Sequence, residues 1–422
     1  MTSAHQSPAG GRVLTRPTWI LLALGVLGFA IVAWRFAVGL GPTTALSDGY
    51  PFGLWIAFDV VTGTALACGG YAVALMVYIL NKGKYHPLVR PALVTSALGY
   101  TLAGLAVVVD VGRPWWIWKV PIFFWRWNLS SALLEVALCI MAYVFVLWIE
   151  LSPAFLERWE QSSAWPALAR FARKARPKVE RALPWVLALG IVLPTMHQSS
   201  LGTMMLLAGP KLHPLWNTPL VPLLFLVGCL GMGYGVVAME SVLSSRLLGR
   251  RPEREMLLGL ARPMAWVLGL WLVVRLVDVA VRGRFGLALE ATSYAFWFWL
   301  EIAVGLVALG MLVARGRLED RRRGLGWLFQ AAVLLVFGGA LYRFSTYLMA
   351  FNPGDNWSYF PSIPEMLVTV GFVAFEVLAY VYLIQRFPIL AGAGSAPRSG
   401  GPIPSRAPGG TPSGPPAGAE AG

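Results

Sequence analysis

Charged side chains are scarce in this chain of 422 residues. Asp, Glu, Lys and Arg make up 13% of the sequence, whereas hydrophobic residues make up 57% and tryptophan occurs 19 times. Soluble domains carry about 25% charged residues, because water must solvate most of their surface. The low charge therefore excludes an ordinary soluble protein and predicts a polytopic membrane protein, in which lipid contacts many of the side chains.

Cysteine is rarer still, and its placement argues against a bound cluster. Cys68, Cys139 and Cys229 lie in separate apolar runs, and none belongs to a C-x-x-C motif. Iron–sulfur clusters and structural zinc ions are held by several closely spaced cysteines or histidines. We therefore expect no Fe–S cluster and no metal site in this chain, and interpret the cysteines as small buried side chains.

Histidine occurs four times, and only His197 lies inside an apolar run of membrane length. His5 precedes the first such run, while His86 and His213 lie in connections on opposite sides of the membrane. A b-type haem usually takes two axial ligands, most often histidines from facing helices. Because His197 has no histidine partner at membrane depth, the sequence predicts no haem.

Ten apolar stretches are long enough to cross about 30 Å of hydrocarbon at about 1.5 Å per residue, which predicts an all-α membrane protein. The predicted spans are residues 18–41, 52–80, 90–112, 127–150, 182–208, 216–243, 260–282, 290–314, 325–350 and 363–387. Residues 1–17 and 388–422 remain as tails. The Gly-, Pro- and Ser-rich composition of the second tail predicts disorder.

Positive charge is distributed unevenly between the two sides. Of the 34 Lys and Arg residues, 25 fall on the side of the N-terminus, six on the other side and three within spans. Lys and Arg concentrate on the cytoplasmic side of membrane proteins, so both termini are predicted to be cytoplasmic. This pattern also accounts for the net charge without nucleic-acid binding. The basic, amphipathic loop at 153–181 is predicted to lie along the cytoplasmic interface.

An ionisable side chain at membrane depth costs at least about 2.5 kcal/mol, so each one requires a partner or a function. Most of them fall in the outer, periplasm-facing half. They are Arg35, Asp59, Asp110, Glu135, Glu240, Arg275, Asp278, Glu301, Arg343, Glu376 and His197. Arg275 and Asp278 are three residues apart and are expected to pair on one helix. Asp110 is expected to pair with Arg113, and Arg343 to extend toward the interface.

Pairing or extension toward the interface does not explain three of these residues. Glu135 follows a polar stripe that enters from the outer side, and Asp59 lies beside small residues that permit close helix approach. His197 follows Pro194, which removes a helical hydrogen-bond donor. His197 is either hydrogen-bonded between packed helices or contacts a ligand or handles protons, and the sequence leaves both interpretations open.

The outer connection "RPWWIWKVPIFFWRW" (113–127) is dense in tryptophan. Tryptophan is enriched at membrane interfaces in general, so an interfacial belt is one interpretation. A docking surface for a partner is the other, because so many aromatic residues in one short loop exceed what a belt requires.

Several longer motifs carry a resemblance to a known family. They are "YPFGLWIAFDVVTGTALACGGYA" (50–72), "DVGRPWWIWK" (110–119), "WNLSSALLE" (127–135), "MHQSSLGTMMLL" (196–207) and "KLHPLW" (211–216). The chain resembles the polysulfide-reductase/NrfD family of membrane subunits, and within it the integral membrane subunits of uptake Ni–Fe hydrogenases. The likeness covers residues 18–387.

The resemblance implies an architecture and partners. It implies two four-helix bundles, spans 2–5 and 6–9, flanked by the first and last helices, in a bacterial inner membrane. It implies an exchangeable quinone, menaquinone or ubiquinone, in the outer half of the first bundle, with no haem. Electrons would come from a periplasmic ferredoxin-like subunit with four [4Fe–4S] clusters. That subunit would receive them from the small and large hydrogenase subunits.

The resemblance also implies a set of site residues. Quinone binding is expected at Asp59, Asp110, Arg113, Glu135 and His197. Of these, His197 would bond one quinone carbonyl, and Asp59 or Glu135 would supply protons as the quinone is reduced. A proton path toward the cytoplasm is expected to include Glu240, Glu301 and Glu376.

Three other functions remain open. A sibling respiratory complex would replace hydrogenase by a molybdenum enzyme or a multihaem cytochrome as the electron donor. A secondary transporter would require paired broken helices and a midplane substrate site, whereas Pro194 is the main break within a span. A passive anchor for the cluster protein would leave Asp59, Glu135 and His197 without a function.

Overall fold

In a computed structural model, residues 8–10, 13–162, 165–249 and 254–390 are described. Within these residues, ten helices are long and apolar enough to cross a membrane, which confirms the predicted multi-pass, all-α membrane protein. In chain order they are α1 Arg16–Val38, α2 Trp55–Ile79, α3 Gly83–Asp110, α4 Ala132–Glu160, α5 Pro166–Leu207, α6 Val221–Leu247, α7 Arg254–Val281, α8 Ser293–Val313, α9 Gly324–Met349 and α10 Ile363–Arg386. From residue 391 on, the tail predicted to be disordered lies outside the described residues.

Two helices extend far beyond the predicted spans. α4 continues to Glu160, and α5 begins at Pro166 and runs for 42 residues, about 63 Å at 1.5 Å per residue. The prediction of a loop at 153–181 is therefore wrong, because α4 and α5 extend into this segment and pack against each other. Arg176 of α5 joins the two helices through an ion pair with Glu160 of α4 (3.0 Å), and it also pairs with Glu180 of its own helix (2.7 Å).

Helix packing follows the order of the chain. α2, α3, α4 and α5 pack in a ring of neighbours, and α6, α7, α8 and α9 pack in a second ring. α2 and α5 also contact α6, which joins the rings, and α1 packs along α10. This is the packing that two flanked four-helix bundles would produce, and the division into bundles stays an interpretation. We call the side of the helix assembly where α3 ends and α4 begins the predicted outer end, and the opposite side the predicted inner end.

Hydrogen bonds at the predicted outer end fix where α10 begins relative to α2. The Ser362 Oγ accepts from the Glu365 amide (3.3 Å), and the Glu365 carboxylate accepts from the Ser362 amide (2.8 Å), which is a capping box. Tyr359 donates to Glu365 (2.6 Å) and accepts from the Leu54 amide (2.7 Å). Burial and the bond to Glu365 raise the pKa of Tyr359 above its usual value. Tyr359 therefore stays a neutral donor that holds the start of α2 against α10.

Candidate functional site

Asp59 lies in a π-helical turn, Trp55–Thr62, at the start of α2. Such turns hold one more residue per hydrogen-bonded ring than an α-helix and are frequent at functional sites. The Asp59 side chain is buried, with 9% exposure, and its Oδ2 accepts from the Thr369 hydroxyl of α10 (2.6 Å). The bonds around Tyr359 set the relative position of these two helices. Asp59 is thus a buried carboxyl held by one neutral donor.

Two further carboxyls continue from Asp59 toward the predicted inner end. Glu376 lies seven residues after Thr369 on the same face of α10, and its Oε1 lies beside Gly99 of α3. Glu240 accepts a hydrogen bond from Thr95 of α3, one turn before Gly99. Asp59, Glu376 and Glu240, which we call the acidic line, therefore connect α2, α10 and α6 from the outer third to the inner third of the molecule.

A second polar cluster occupies the centre, where the two rings of helices meet. The Gln198 amide of α5 donates to the hydroxyls of Thr64 (3.1 Å) and Tyr100 (3.2 Å). Its Oε1 accepts from Arg343 Nη2 (2.8 Å). The two polar atoms of the Gln198 side chain thus bond to three other helices, α2, α3 and α9. Gln198 consequently fixes the rotation of α5 and the direction of its neighbour, His197.

Arg343 is fully buried and joins both rings of helices. Besides Gln198, it donates to the backbone carbonyls of Val61 on α2 (2.9 Å) and Phe225 on α6 (2.7 Å). No carboxylate pairs with it among the described residues. The expectation that Arg343 extends toward the interface is wrong, because three inward-facing acceptors satisfy its guanidinium.

His197 is completely buried beside this cluster. Its ring meets Tyr100 edge-on, with 5.7 Å between ring centroids. Neither imidazole nitrogen has a hydrogen-bond partner within the described part of the chain. Of the two open interpretations, a histidine bonded between packed helices is therefore not what is observed. Two unpaired nitrogens at this depth leave both bonding sites available to a ligand.

The other predicted quinone ligands lie nearer the predicted outer end. Glu135 is half-buried in the first turn of α4, and no described residue forms a hydrogen bond or ion pair with its side chain. Asp110 interacts with the charge of buried Arg35, which donates to the Val111 carbonyl (2.6 Å). Arg113 is exposed, so the expected pair between Asp110 and Arg113 is wrong. No bond between side chains joins these residues to Asp59 or His197.

Glu301 is separated from the acidic line by its partners. It lies on α8 and accepts from the Trp216 indole (3.1 Å), and Arg275 of α7 approaches it to 3.5 Å. Asp278 instead pairs with Arg282 (2.6 Å), one turn further on. The expected pair of Arg275 with Asp278 is therefore wrong, because each finds a better-placed partner. Of the three acids expected on the proton path, only Glu240 and Glu376 lie together.

Sequence reasoning missed several polar residues of the site. Gln198, Thr369 and Thr95 carry no charge, so a search for membrane charges does not find them. Glu150 was also missed, although it is a carboxyl buried on α4 whose Oε1 has no partner among the described residues. Its position at the last residue of a predicted span was the signal that could have identified it.

The chain is similar to a known protein family and to several known proteins. The family model described as polysulphide reductase, NrfD, matches residues 42–350. The chain is 38% identical over 396 residues to the probable Ni/Fe-hydrogenase 2 b-type cytochrome subunit of Escherichia coli (strain K12), covering 92% of this chain and 96% of that protein. It is 27% identical to the menaquinone reductase integral membrane subunit of Nitratidesulfovibrio vulgaris, covering 88% and 91%. It is 23% identical to the Hdr-like menaquinol oxidoreductase integral membrane subunit of Archaeoglobus fulgidus, covering 88% and 92%.

The cytochrome in one relative's name raises the question of a haem. His86 is exposed in the first turns of α3 at the predicted inner end, where it contacts Tyr78. His213 lies in the connection before α6 and stacks on Tyr294, with 4.1 Å between ring centroids. Among the described histidines, none faces His197, so the residues present do not fit a bis-histidine haem.

Proposed function

Since the chain belongs to the polysulphide reductase NrfD family, we propose that it is the quinone-reactive membrane subunit of a respiratory oxidoreductase. Its complex would oxidise hydrogen through a periplasmic Ni–Fe hydrogenase in a bacterial inner membrane. The observation that carries the proposal is the buried carboxyl of Asp59, held by Thr369 and continued by the acidic line. A carboxyl at this depth requires a function, and proton delivery to a reduced quinone provides one.

The reaction divides between the partner subunits and this chain. Hydrogen oxidation at the hydrogenase yields two electrons and two protons, and a ferredoxin-like subunit with four [4Fe–4S] clusters carries the electrons. The quinone takes up both electrons and two further protons, one on each carbonyl oxygen, and leaves as the quinol. In this scheme the chain supplies a binding site and protons, and the electron carriers lie in the partner subunits.

The aromatic loop, residues 113–127, is the proposed dock for the cluster-bearing subunit. Trp115 and Trp125 are both more than half exposed at the predicted outer end. Lys119 lies over the Trp116 ring at 3.2 Å, which orders part of the loop. Exposed aromatic groups of this kind are enriched in the cores of protein interfaces. Docking there would bring the last cluster close to the outer thirds of α2 and α4.

The proposed roles follow the position of each residue. His197 donates a hydrogen bond to one quinone carbonyl, and Gln198 and Arg343 hold its helix in place. Asp59 and Glu135 each deliver one proton, the first from the interior and the second from the outer surface. Asp110 and Arg113 complete the outer margin of the site. Residues 18–387 form one quinone-binding domain, and the tails at 1–17 and 388–422 are cytoplasmic.

Replacing His197 by alanine should weaken quinone binding about tenfold, the loss of roughly 1.4 kcal/mol expected for one hydrogen bond. The measurement is quenching of tryptophan fluorescence in the purified full chain by 2,3-dimethyl-1,4-naphthoquinone. His213→Ala is the matched control, because His213 lies in the connection before α6 and stacks on Tyr294 at the start of α8. Equal affinities of His197→Ala and the unaltered protein would exclude His197 as the ligand.

Glu135→Gln should slow hydrogen-dependent quinone reduction about tenfold in membranes that hold the complete complex. The effect is limited because Glu135 is half-buried, so water can replace part of its proton delivery. Reduction of benzyl viologen by the same membranes should not change, since that dye takes electrons before they reach this chain. Unchanged quinone reduction in Glu135→Gln would remove Glu135 from the mechanism.

A further inference from the structure

A large apolar groove lies between α7 and α8, away from the proposed quinone site. Its volume is about 1390 Å³, and it begins at the predicted inner end. Leu270, Val273 and Leu306 line it and are each more than half exposed. Between Arg262 and Leu276 it runs about 21 Å along α7, at 1.5 Å per residue. That depth is about two thirds of the ~30 Å hydrocarbon core, so the groove is deep enough for the acyl chains of one leaflet.

Two arginines line the mouth of this groove. Arg262 lies in the first turns of α7, and Arg315 follows the end of α8. Both are exposed, and neither forms a hydrogen bond or an ion pair with the residues that the structure describes. Glu319 is the one acidic residue among those lining the groove. The segment 315–323 nevertheless has five arginines against one Glu and one Asp, so the mouth is positively charged.

We propose that this groove binds one anionic phospholipid with two acyl chains. The phosphate lies between Arg262 and Arg315, and the chains lie along the apolar walls of α7 and α8. The charge of the mouth selects a phosphate group, and basic pockets between transmembrane helices bind anionic lipid headgroups in this way. The apolar walls, which begin directly behind the arginines, select a phosphate that carries hydrocarbon chains. The uncharged head of a quinone would leave both arginines without a counter-ion.

Trp266 makes the occupancy of the groove measurable. It lines the groove one turn after Arg262 and is 72% exposed. Phospholipids with brominated acyl chains quench a tryptophan that they contact. The full chain is purified in detergent, and quenching by brominated phosphatidylglycerol is compared with quenching by phosphatidylcholine that carries the same chains. A defined site predicts that the anionic lipid quenches more strongly than phosphatidylcholine, and that this excess quenching saturates as the lipid concentration rises. Trp266→Phe should remove the excess.

Charge removal should abolish the selectivity for the anionic lipid. A basic residue near an anionic headgroup contributes about 1 kcal/mol, so Arg262→Gln/Arg315→Gln should weaken phosphatidylglycerol binding about 30-fold. Arg321→Gln/Arg322→Gln is the matched control, because it removes two charges from the same connection without touching the groove. Both double variants would lose affinity equally if the positive charge of this surface attracted the lipid without a defined site, and that result would overturn the proposal.

Filling the groove tests its apolar part separately. A side-chain atom added at Gly269 meets no atom within 4 Å, and Gly269 lines the groove. Gly269→Leu should therefore fold normally and lower binding at least tenfold. Gly310 of α8 is equally open but does not line the groove, so Gly310→Leu should bind as the unaltered chain does. Unchanged saturable quenching in Gly269→Leu would place the lipid elsewhere and overturn the proposal.

Discussion

Asp59→Asn should lower hydrogen-dependent quinone reduction at least a hundredfold, while benzyl viologen reduction by the same complex stays unchanged. Asparagine keeps the size of the side chain and can still accept from Thr369, but it cannot carry a proton. Removal of a positioned acid or base costs about 10² to 10⁴ in rate. The measurement is the rate of 2,3-dimethyl-1,4-naphthoquinone reduction under hydrogen, in membranes with equal amounts of assembled complex.

Two further variants separate chemistry from structural damage. Thr369→Val removes the hydrogen bond to Asp59 but leaves its carboxyl, so the rate should fall only a few fold. Asp278→Asn alters another buried acid near the predicted outer end, already paired with Arg282, and should retain activity within about twofold. Full quinone reduction in Asp59→Asn would refute the proposed role, as would an equal loss in Asp278→Asn.

The fold was largely predictable because lipid imposes simple requirements on helix length. Apolar stretches of sufficient length gave all ten helices, with most boundaries correct within a few residues. The error at α4 and α5 arose because the basic, amphipathic composition of 153–181 suggested an interfacial loop, whereas both helices extend into this segment. Packing of the two helices and the ion pair of Arg176 with Glu160 stabilise their extensions beyond the membrane. Such contacts depend on tertiary structure, which local sequence signals do not contain.

The candidate site was predictable in its ionisable residues and not in their partners. Asp59, Glu376 and Glu240 were identified by the cost of charge in lipid, but three different helices bring them together. Arg275 and Asp278 were assigned to each other from their spacing, whereas Glu301 and Arg282 are their observed partners. Spacing along a helix gives the neighbours available to a residue, and the competition among distant helices decides which one it binds.

The burial of Arg343 shows how the two rings of helices support one site. Burying a lone charge is costly, and three neutral acceptors from α2, α5 and α6 offset that cost only together. Displacement of any one helix would leave a charged donor unsatisfied. Gln198 binds Arg343 of the second ring and is the neighbour of His197 on α5. A shift of the second ring would therefore also move His197, the proposed quinone ligand.

Proton supply through the acidic line should make quinone reduction electrogenic, and Glu240→Gln/Glu376→Gln should abolish the resulting membrane potential. Protons that reach Asp59 through Glu376 and Glu240 come from the predicted inner end, so each one moves positive charge across most of the membrane. With both carboxyls neutralised, Asp59 can be reprotonated only from the outer side. Quinone reduction should then continue, about tenfold slower, without generating a potential.

The potential is measured with a voltage-sensitive dye in proteoliposomes that contain the complete complex, hydrogen and the quinone. Glu301→Gln is the matched control, because Glu301 is a buried acid within a spanning helix whose partners are Arg275 and Trp216. It should keep the ratio of potential to quinone reduced. An unchanged ratio in Glu240→Gln/Glu376→Gln would rule out the acidic line as the proton route. Loss of the potential in Glu301→Gln as well would extend the route into α8 and restore the grouping of all three acids expected from the sequence.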